Sequence, residues 1–368
     1  MLNTERYQRQ LILKGFGAQA QQLVAQARVL VIGAGGLGCP ALQYLAAMGI
    51  GKIGIVDDDT VALSNLHRQV LFTTADVGKL KVAVAAERLR AMNPEIEIVA
   101  HPIRIKKNNV LALLKAYDYV LDGTDNFETR YLLNDACALL NKPLIFAAVS
   151  GDEGQLAIFN VNNEKGRSTN YRDLFPVPPG AGDVPNCAEN GVLGVLPGII
   201  GTMAAAETIK LITGYGKTLV NKLLHYHLLS REQYEMNISP STDYQLPQSE
   251  DEFLNMDYQN DCELSSGYQE IGAQELSEFQ NEGSALLIDV RERHEVPVLD
   301  AAIFNKVPMS EFNRFLEEDI AEENIVFICQ HGIRSVAAAE AMHEKYGDSK
   351  KIYSLKGGIS KWRNYFLG

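Results

Sequence analysis

Between Ala27 and Gly151, short apolar runs recur and stretches of helical spacing lie between them. Residues 27–35 (ARVLVIGAG) predict a buried strand and Cys39 to Met48 a helix. Residues 52–59 (KIGIVDDD) form a second strand, and 81–94 (KVAVAAERLRAMNP) a helix that must stop before Pro94. Residues 96–103 (IEIVAHPI), 117–125 (YDYVLDGTD) and 143–151 (PLIFAAVSG) supply three more strands. This alternation predicts an α/β fold with a parallel, doubly wound sheet. Gly191 to Leu211 is mostly apolar, but Pro197 and internal glycines interrupt it, so it predicts a buried loop and helix instead of a membrane span.

From Arg231 to Glu270 the periodicity fails, and the segment is polar and acidic. It is expected to contain a linker, at 241–269, between a domain at 1–240 and a smaller α/β domain at 270–368. In the latter, 284–290, 324–330 and 351–355 read as strands and 335–347 as a helix. A length of 368 residues suits two domains. The net charge of −12 is uneven: residues 1–240 carry 23 basic and 22 acidic side chains, and residues 241–368 carry 11 and 24. With no basic stripe, nucleic acid and anionic membranes are poor partners. The N-terminus is polar and charged, unlike a signal peptide, and the five cysteines are too far apart for a disulfide framework. A soluble, cytoplasmic chain is expected.

Gly33, Gly35, Gly36 and Gly38 follow a strand and open a helix, so backbone N–H groups can approach phosphate oxygens. Asp57 ends the next strand, 19 residues beyond Gly38, where a carboxylate can accept from a ribose hydroxyl. These features alone leave an NAD-dependent dehydrogenase and an ATP enzyme equally open. The stretch Ser64-Asn65-Leu66-His67-Arg68-Gln69, followed by Gly78-Lys79-Leu80-Lys81, gathers cations and amides that suit a triphosphate and its leaving pyrophosphate. Asp125 ends the DGTDN strand, where it can hold Mg²⁺ on phosphates, cap the following helix, or do both.

RYQRQ, GAGGLG, VDDDTVALSNLHRQ, DVGKLK, DGTDN and PNCAENGVLGVLPGIIGTMAAAETIKL together closely resemble the ThiF/MoeB/HesA adenylyltransferases, over roughly residues 3–230. The resemblance implies a Rossmann-like adenylation domain. It would use ATP to adenylate the C-terminal glycine of a small ubiquitin-like sulfur-carrier protein ending in Gly-Gly. Carried over by motif, Gly36 and Asp57 hold the nucleotide, Asn65, Arg68 and Lys81 contact phosphates, and Asp125 holds Mg²⁺. Gly33, Gly35, Asp59, Gln69 and Asn126 lie in the same motifs and join the expected nucleotide site. Arg9 would reach into a partner subunit's ATP site, which implies a homodimer. Cys187 stands where the family places a cysteine that links covalently to the carrier. Most members carry zinc on two C-x-x-C pairs. Here the first reads Asn170-Tyr-Arg-Asp173, and no second pair follows Leu224, so no zinc is expected. Cys39 and Cys137 read as core residues and Cys262 as exposed.

In the second domain, Ile328-Cys329-Gln-His-Gly-Ile-Arg334-Ser335 joins a strand to a helix, a geometry that surrounds a sulfur anion with N–H groups. With LLIDVRER before it and IYSLKGGISKW after it, the segment from about 270 to 368 resembles a rhodanese domain. That resemblance implies a persulfide on Cys329. Asp289 and Arg291 fit a structural ion pair as well as a catalytic role. Residues 298–304 depart from the family pattern, so a different local loop is expected. Adenylation joined to a rhodanese domain implies delivery of sulfur from a donor such as a cysteine desulfurase or thiosulfate. The product would be a carrier thiocarboxylate of the molybdopterin or thiamine type. The alternatives are a carrier-activating protein with an inactive rhodanese domain, or the dehydrogenase.

Overall fold

The apolar runs at 28–32 and 52–56 are buried on both faces, as strands covered by helices on either side must be. In the computed structural model, which describes residues 3–161, 168–178, 191–241, 244–258 and 268–366, they form β1 (Arg28–Ile32) and β2 (Lys52–Val56) of an eight-stranded sheet. The others are β3 (Glu97–His101), β4 (Tyr119–Asp122), β5 (Leu144–Ser150), β6 (Glu153–Phe159), β7 (Lys222–His227) and β8 (Glu232–Asn237). Their order is β3-β2-β1-β4-β5-β6-β7-β8, parallel from β3 to β5 and antiparallel from β5 to β8. The chain runs outward from β1 to β3, then returns on the other side of β1 as β4. That reversal opens a crevice at the carboxyl ends of β1 and β4, where open α/β sheets take ligands.

Alternate residues of β1 face two separate apolar layers. Val29 and Val31 pack with the helices Gly38–Met48, Lys81–Met92 and Val195–Thr213. Leu30 and Ile32 pack with Lys107–Leu114 and Phe127–Leu139. Val195–Thr213 is long and apolar enough to cross a bilayer. Its Leu196, Ile200 and Ala204 are fully buried in the first layer, so it is a core helix of the sheet, as expected.

The chain divides into Met1–Asn260 and Asp261–Gly368. The stretch 241–269 is therefore not a linker throughout. Residues 250–255 form a helix whose Phe253 is fully buried in the second apolar layer. Lys107 Nζ donates to the carbonyls of Leu254 and Met256 at 3.2 and 2.8 Å. A six-residue helix with a single buried aromatic leaves no periodicity to read. β8 also escaped the periodicity because every residue in this edge strand is exposed.

The second unit holds a five-stranded sheet of β9 (Tyr268–Ile271), β10 (Leu286–Asp289), β11 (Asn305–Lys306), β12 (Asn324–Ile328) and β13 (Lys351–Leu355). Its order is β11-β10-β12-β13-β9, with every pair parallel. Helices Ala273–Glu282 and Ile333–Tyr346 belong to this unit. In the departing segment Val298 is exposed, while Phe304 is buried beside the Phe366 ring.

Candidate functional site

The loops after β1 and β4 meet in the crevice. Gly33 has φ +90°, and a side chain there would come within 2.9 Å of the Gly123 carbonyl. A side chain at Gly38 would lie 1.8 Å from the Gly33 carbonyl, so only glycine permits this approach. Asp57 ties the end of β2 to the same loop. Its Oδ2 accepts from Ala34 N–H at 2.8 Å and its Oδ1 from Asp59 N–H at 2.9 Å. Burial raises the Asp57 carboxyl above its ordinary range, against the opposing pull of Lys81 and the two N–H groups.

Lys81 opens the Lys81–Met92 helix and is buried. Its Nζ lies 2.8 Å from Asp59 Oδ2 and 4.0 Å from Asp57 Oδ1. The carboxylates of Asp57, Asp58 and Asp59 fall within 4.8 Å of one another, and this ammonium is the cation that two of them face. Asn65 caps its own turn, its Oδ1 accepting from Ala62 N–H at 3.2 Å. Arg68 and Gln69 bracket the glycine loop. A side chain at Gly36 would meet Arg68 Cγ at 3.4 Å, and one at Gly35 would meet Gln69 Nε2 at 4.0 Å. Arg68 Nη1 donates to the Ser64 carbonyl at 3.2 Å and lies 2.7 Å from His67 Nε2. The Gln69 side chain is buried and its Oε1 has no partner among the described residues.

Asp125 is exposed at the end of the β4 loop. The helix cap is Asn126, whose side chain accepts from Thr129 N–H at 2.9 Å, so Asp125 is not the cap. A hard carboxylate oxygen in this position suits Mg²⁺ shared with phosphate oxygens. Two further groups stand here that the motifs did not single out. Asp122 is fully buried, with Oδ1 accepting from Thr124 N–H at 2.9 Å and from its hydroxyl at 2.6 Å, while Oδ2 has no partner among the described residues. Burial raises its carboxyl. Arg130 donates to the Thr124 carbonyl at 3.0 Å, which braces the loop that presents Asp125. Asp122 opens the DGTDN motif and Arg130 follows it by four residues, but the motif gave neither a role.

Arg9 does not join this group within the chain: it is exposed on Gln8–Leu11 and makes no hydrogen bond or ion pair to these residues. Cys187 and Cys262 lie outside the described residues. Cys39 and Cys137 are buried free thiols, both raised by burial, Cys39 to about 12. They are core residues. At the zinc position stand an amide and a carboxylate: the Asn170 N–H and side-chain NH₂ donate to Asp173 Oδ2, and the Tyr244 hydroxyl donates to Asp173 Oδ1. This donor set does not fit a thiolate zinc site.

In the second unit, Cys329 follows β12 and precedes the Ile333–Tyr346 helix. Gly332 N–H donates to its Sγ at 3.0 Å. Arg334 is held by Glu295 through two bonds of 2.6 and 2.7 Å. Asp289 and Arg291 form a buried ion pair with contacts of 2.9 and 2.8 Å, and Lys306 Nζ adds a third at 2.8 Å. Arg291 also donates to the Pro297 carbonyl at 2.8 Å. That bond ties Arg291 to the loop that carries Glu295.

Comparison with known proteins agrees with both units. The ThiF family model matches residues 7–246, and the rhodanese-like domain model matches 272–365. The chain is 40% identical to a probable adenylyltransferase/sulfurtransferase, MoeZ, of Mycobacterium tuberculosis, over 97% of this chain and 92% of that one. It is 50% identical to a sulfur carrier protein adenylyltransferase of Thermus thermophilus, over 61% of this chain and 83% of that one. A crystal structure of E. coli MccB with ATP aligns at a TM-score of 0.57 with 25% identity, covering 66% of this chain and 75% of that one. This chain belongs to the ThiF family and carries a rhodanese-like domain behind its adenylation fold.

Proposed function

We propose that the chain uses ATP to adenylate the C-terminal carboxylate of a small sulfur-carrier protein ending in Gly-Gly, then delivers sulfur from Cys329 to give a thiocarboxylate. The observation that carries this reading is the grouping at the switch point. The glycine loop, Asp57, Lys81, Arg68 and Gln69 converge there, and a second unit presents Cys329 under an N–H donor.

A carboxylate is a poor electrophile until it becomes a mixed anhydride with AMP. The glycine loop's N–H groups receive phosphate oxygens and Asp57 accepts from the ribose. Lys81 and Arg68 hold positive charge where pyrophosphate departs, an electrostatic contribution commonly the largest in such a reaction. Lys81 leaves Asp59 to do so, while Asp57 remains beside it. Mg²⁺, held by Asp125, supplies further charge neutralisation on the phosphates when bound. Arg9 completes the site of a second protomer, so the working enzyme is a homodimer. The persulfide on Cys329 then attacks the acyl adenylate and AMP leaves. Cys187 resolves the acyl persulfide by forming a disulfide with Cys329, which releases the thiocarboxylate. The donor is a cysteine desulfurase persulfide or thiosulfate, and the product feeds a molybdopterin- or thiamine-type pathway. No zinc takes part.

The test is thiocarboxylate formation followed by mass spectrometry of the carrier, with ATP and a sulfur donor. The wild-type chain converts the carrier, and C329S leaves it at the adenylate or unchanged. Conversion by C329S at the wild-type rate would contradict the sulfur-transfer step.

A further inference from the structure

Beneath Cys329 lies a chain of buried hydroxyls with no part in the account above. Cys329 is 1% exposed, and Ser335 and Ser354 are both 0% exposed. The Cys329 thiol donates to Ser335 Oγ at 3.4 Å, and the Ser354 hydroxyl donates to the same oxygen at 2.9 Å. The Ser335 hydroxyl donates to the Gly332 carbonyl at 3.0 Å. Ser335 sits in the first turn of Ile333–Tyr346 and Ser354 on β13, so the chain connects two elements below the sulfur.

A serine hydroxyl has one proton and two acceptor lone pairs. With Cys329 as a thiol, both lone pairs of Ser335 are occupied and its proton goes to Gly332. Once the sulfur is an anion it can only accept. The Ser335 proton then has a charged acceptor within reach, and hydrogen bonds to charged groups are the stronger kind. The Gly332 carbonyl is not orphaned by the change, because Val336 N–H also donates to it at 3.3 Å. Ser354 keeps donating throughout and so fixes the oxygen about which the proton turns.

We propose that Ser335 is a switching hydrogen-bond donor to the Cys329 sulfur anion, and that Ser354 is the positioning residue acting on the sulfur through Ser335. The proposal rests on Cys329 as the sulfur-carrying nucleophile. In loading from a persulfide donor R–S–SH, the Cys329 thiolate attacks the terminal sulfur. A new S–S bond forms to Cys329 and the donor's S–S bond breaks. The electron pair leaves on R–S⁻, which takes up the proton of the transferred sulfur to give RSH and an anionic Cys329 persulfide. Ser335 donates to Sγ while the charge rests there.

The experiment measures alkylation of Cys329 by iodoacetamide against pH in the full-length chain, resolved by peptide mass spectrometry. S335A should move the profile to higher pH by about one unit, the scale of one lost charge-assisted bond. S354A should move it in the same direction by less. The double variant should match S335A alone, since among the described residues the Ser354 hydroxyl reaches the sulfur through Ser335. S335T, which keeps the hydroxyl, should restore the wild-type profile. The charged groups of this region are Arg334, which faces Cys329 and lies beside Glu295 and Glu292, then His331, and the Asp289–Arg291 pair with Lys306. All are retained in every variant. Wild-type profiles for both single variants, or a double-variant shift equal to the sum of the two, would overturn the proposal. Failure of the wild-type chain to gain sulfur on Cys329 from a persulfide donor would instead defeat the sulfur-transfer reading beneath it.

Discussion

The Tyr244 hydroxyl donates to Asp173 Oδ1 at 2.5 Å, which ties the segment beyond β8 to the Tyr171–Leu174 turn. Ser241 N–H donates to the same oxygen at 2.6 Å, and the Asn170 side chain donates to the Tyr244 hydroxyl. Positions 170 and 173, and positions 241 and 244, each stand three apart, the spacing of paired metal cysteines. Hydrogen bonds cross-link these two segments. Tyr244→Phe should lower stability by about 1–2 kcal/mol, the cost of removing one partner from a partly buried bond. Chelator treatment should leave the melting temperature unchanged. Stoichiometric zinc in chelator-washed protein, or a melt that falls on chelation, would contradict this.

Lys81 is buried, with its ammonium 2.8 Å from Asp59 Oδ2 and 4.0 Å from Asp57 Oδ1. Lys81→Ala should reduce ATP–pyrophosphate exchange by roughly 10²–10³-fold, in line with removing one preorganised charge from an active site. The measurement is exchange at saturating ATP. A loss below tenfold would remove Lys81 from the leaving-group role.

Cys329→Ser separates the two chemistries. Because Cys329 belongs to the second unit, the variant should retain pyrophosphate exchange within about twofold, well inside a difference of 1.4 kcal/mol. Carrier thiocarboxylate should fall to background. Loss of exchange in this variant would show that the sulfur takes part before adenylation is complete.

Burial pushes the Asp289 carboxyl up, but the Arg291 and Lys306 bonds outweigh it and hold the carboxyl below its ordinary range. A depressed carboxyl stabilises the fold above its unfolded value of about 3.9 and loses that contribution as pH falls through the folded value. The second unit should therefore weaken in acid below about pH 4. Asp289→Asn should flatten that decline. At neutral pH it should cost roughly 3–5 kcal/mol, because Arg291 is left buried without its charge partner. Trp362 is the only tryptophan in the chain and lies in this unit, so its fluorescence reports the transition selectively. An unchanged melt would contradict the structural role of the pair.

Much of this was legible in the sequence because it is written in local order. The glycine loop, the Asp57 strand end and the Cys329 loop each occupy a few consecutive residues, and the strand–helix pattern places them at the carboxyl ends of strands. What was not legible depends on distant partners. The Glu250–Asn255 helix is too short for a period, and its place follows from Phe253 reaching the core and Lys107 binding its carbonyls. The Tyr244–Asp173 bond spans 71 residues, and the Ser335–Ser354 contact joins a helix to a strand. Asp122 and Arg130 matter through a buried oxygen and a brace on Thr124, neither of which a motif records.

The central claim is tested most directly by ATP–pyrophosphate exchange with the purified chain and a panel of Gly-Gly-terminated carriers. The account predicts exchange with a carrier and its loss when the terminal glycine is deleted. ATP binding without exchange for any carrier, or NAD binding in place of ATP, would contradict it.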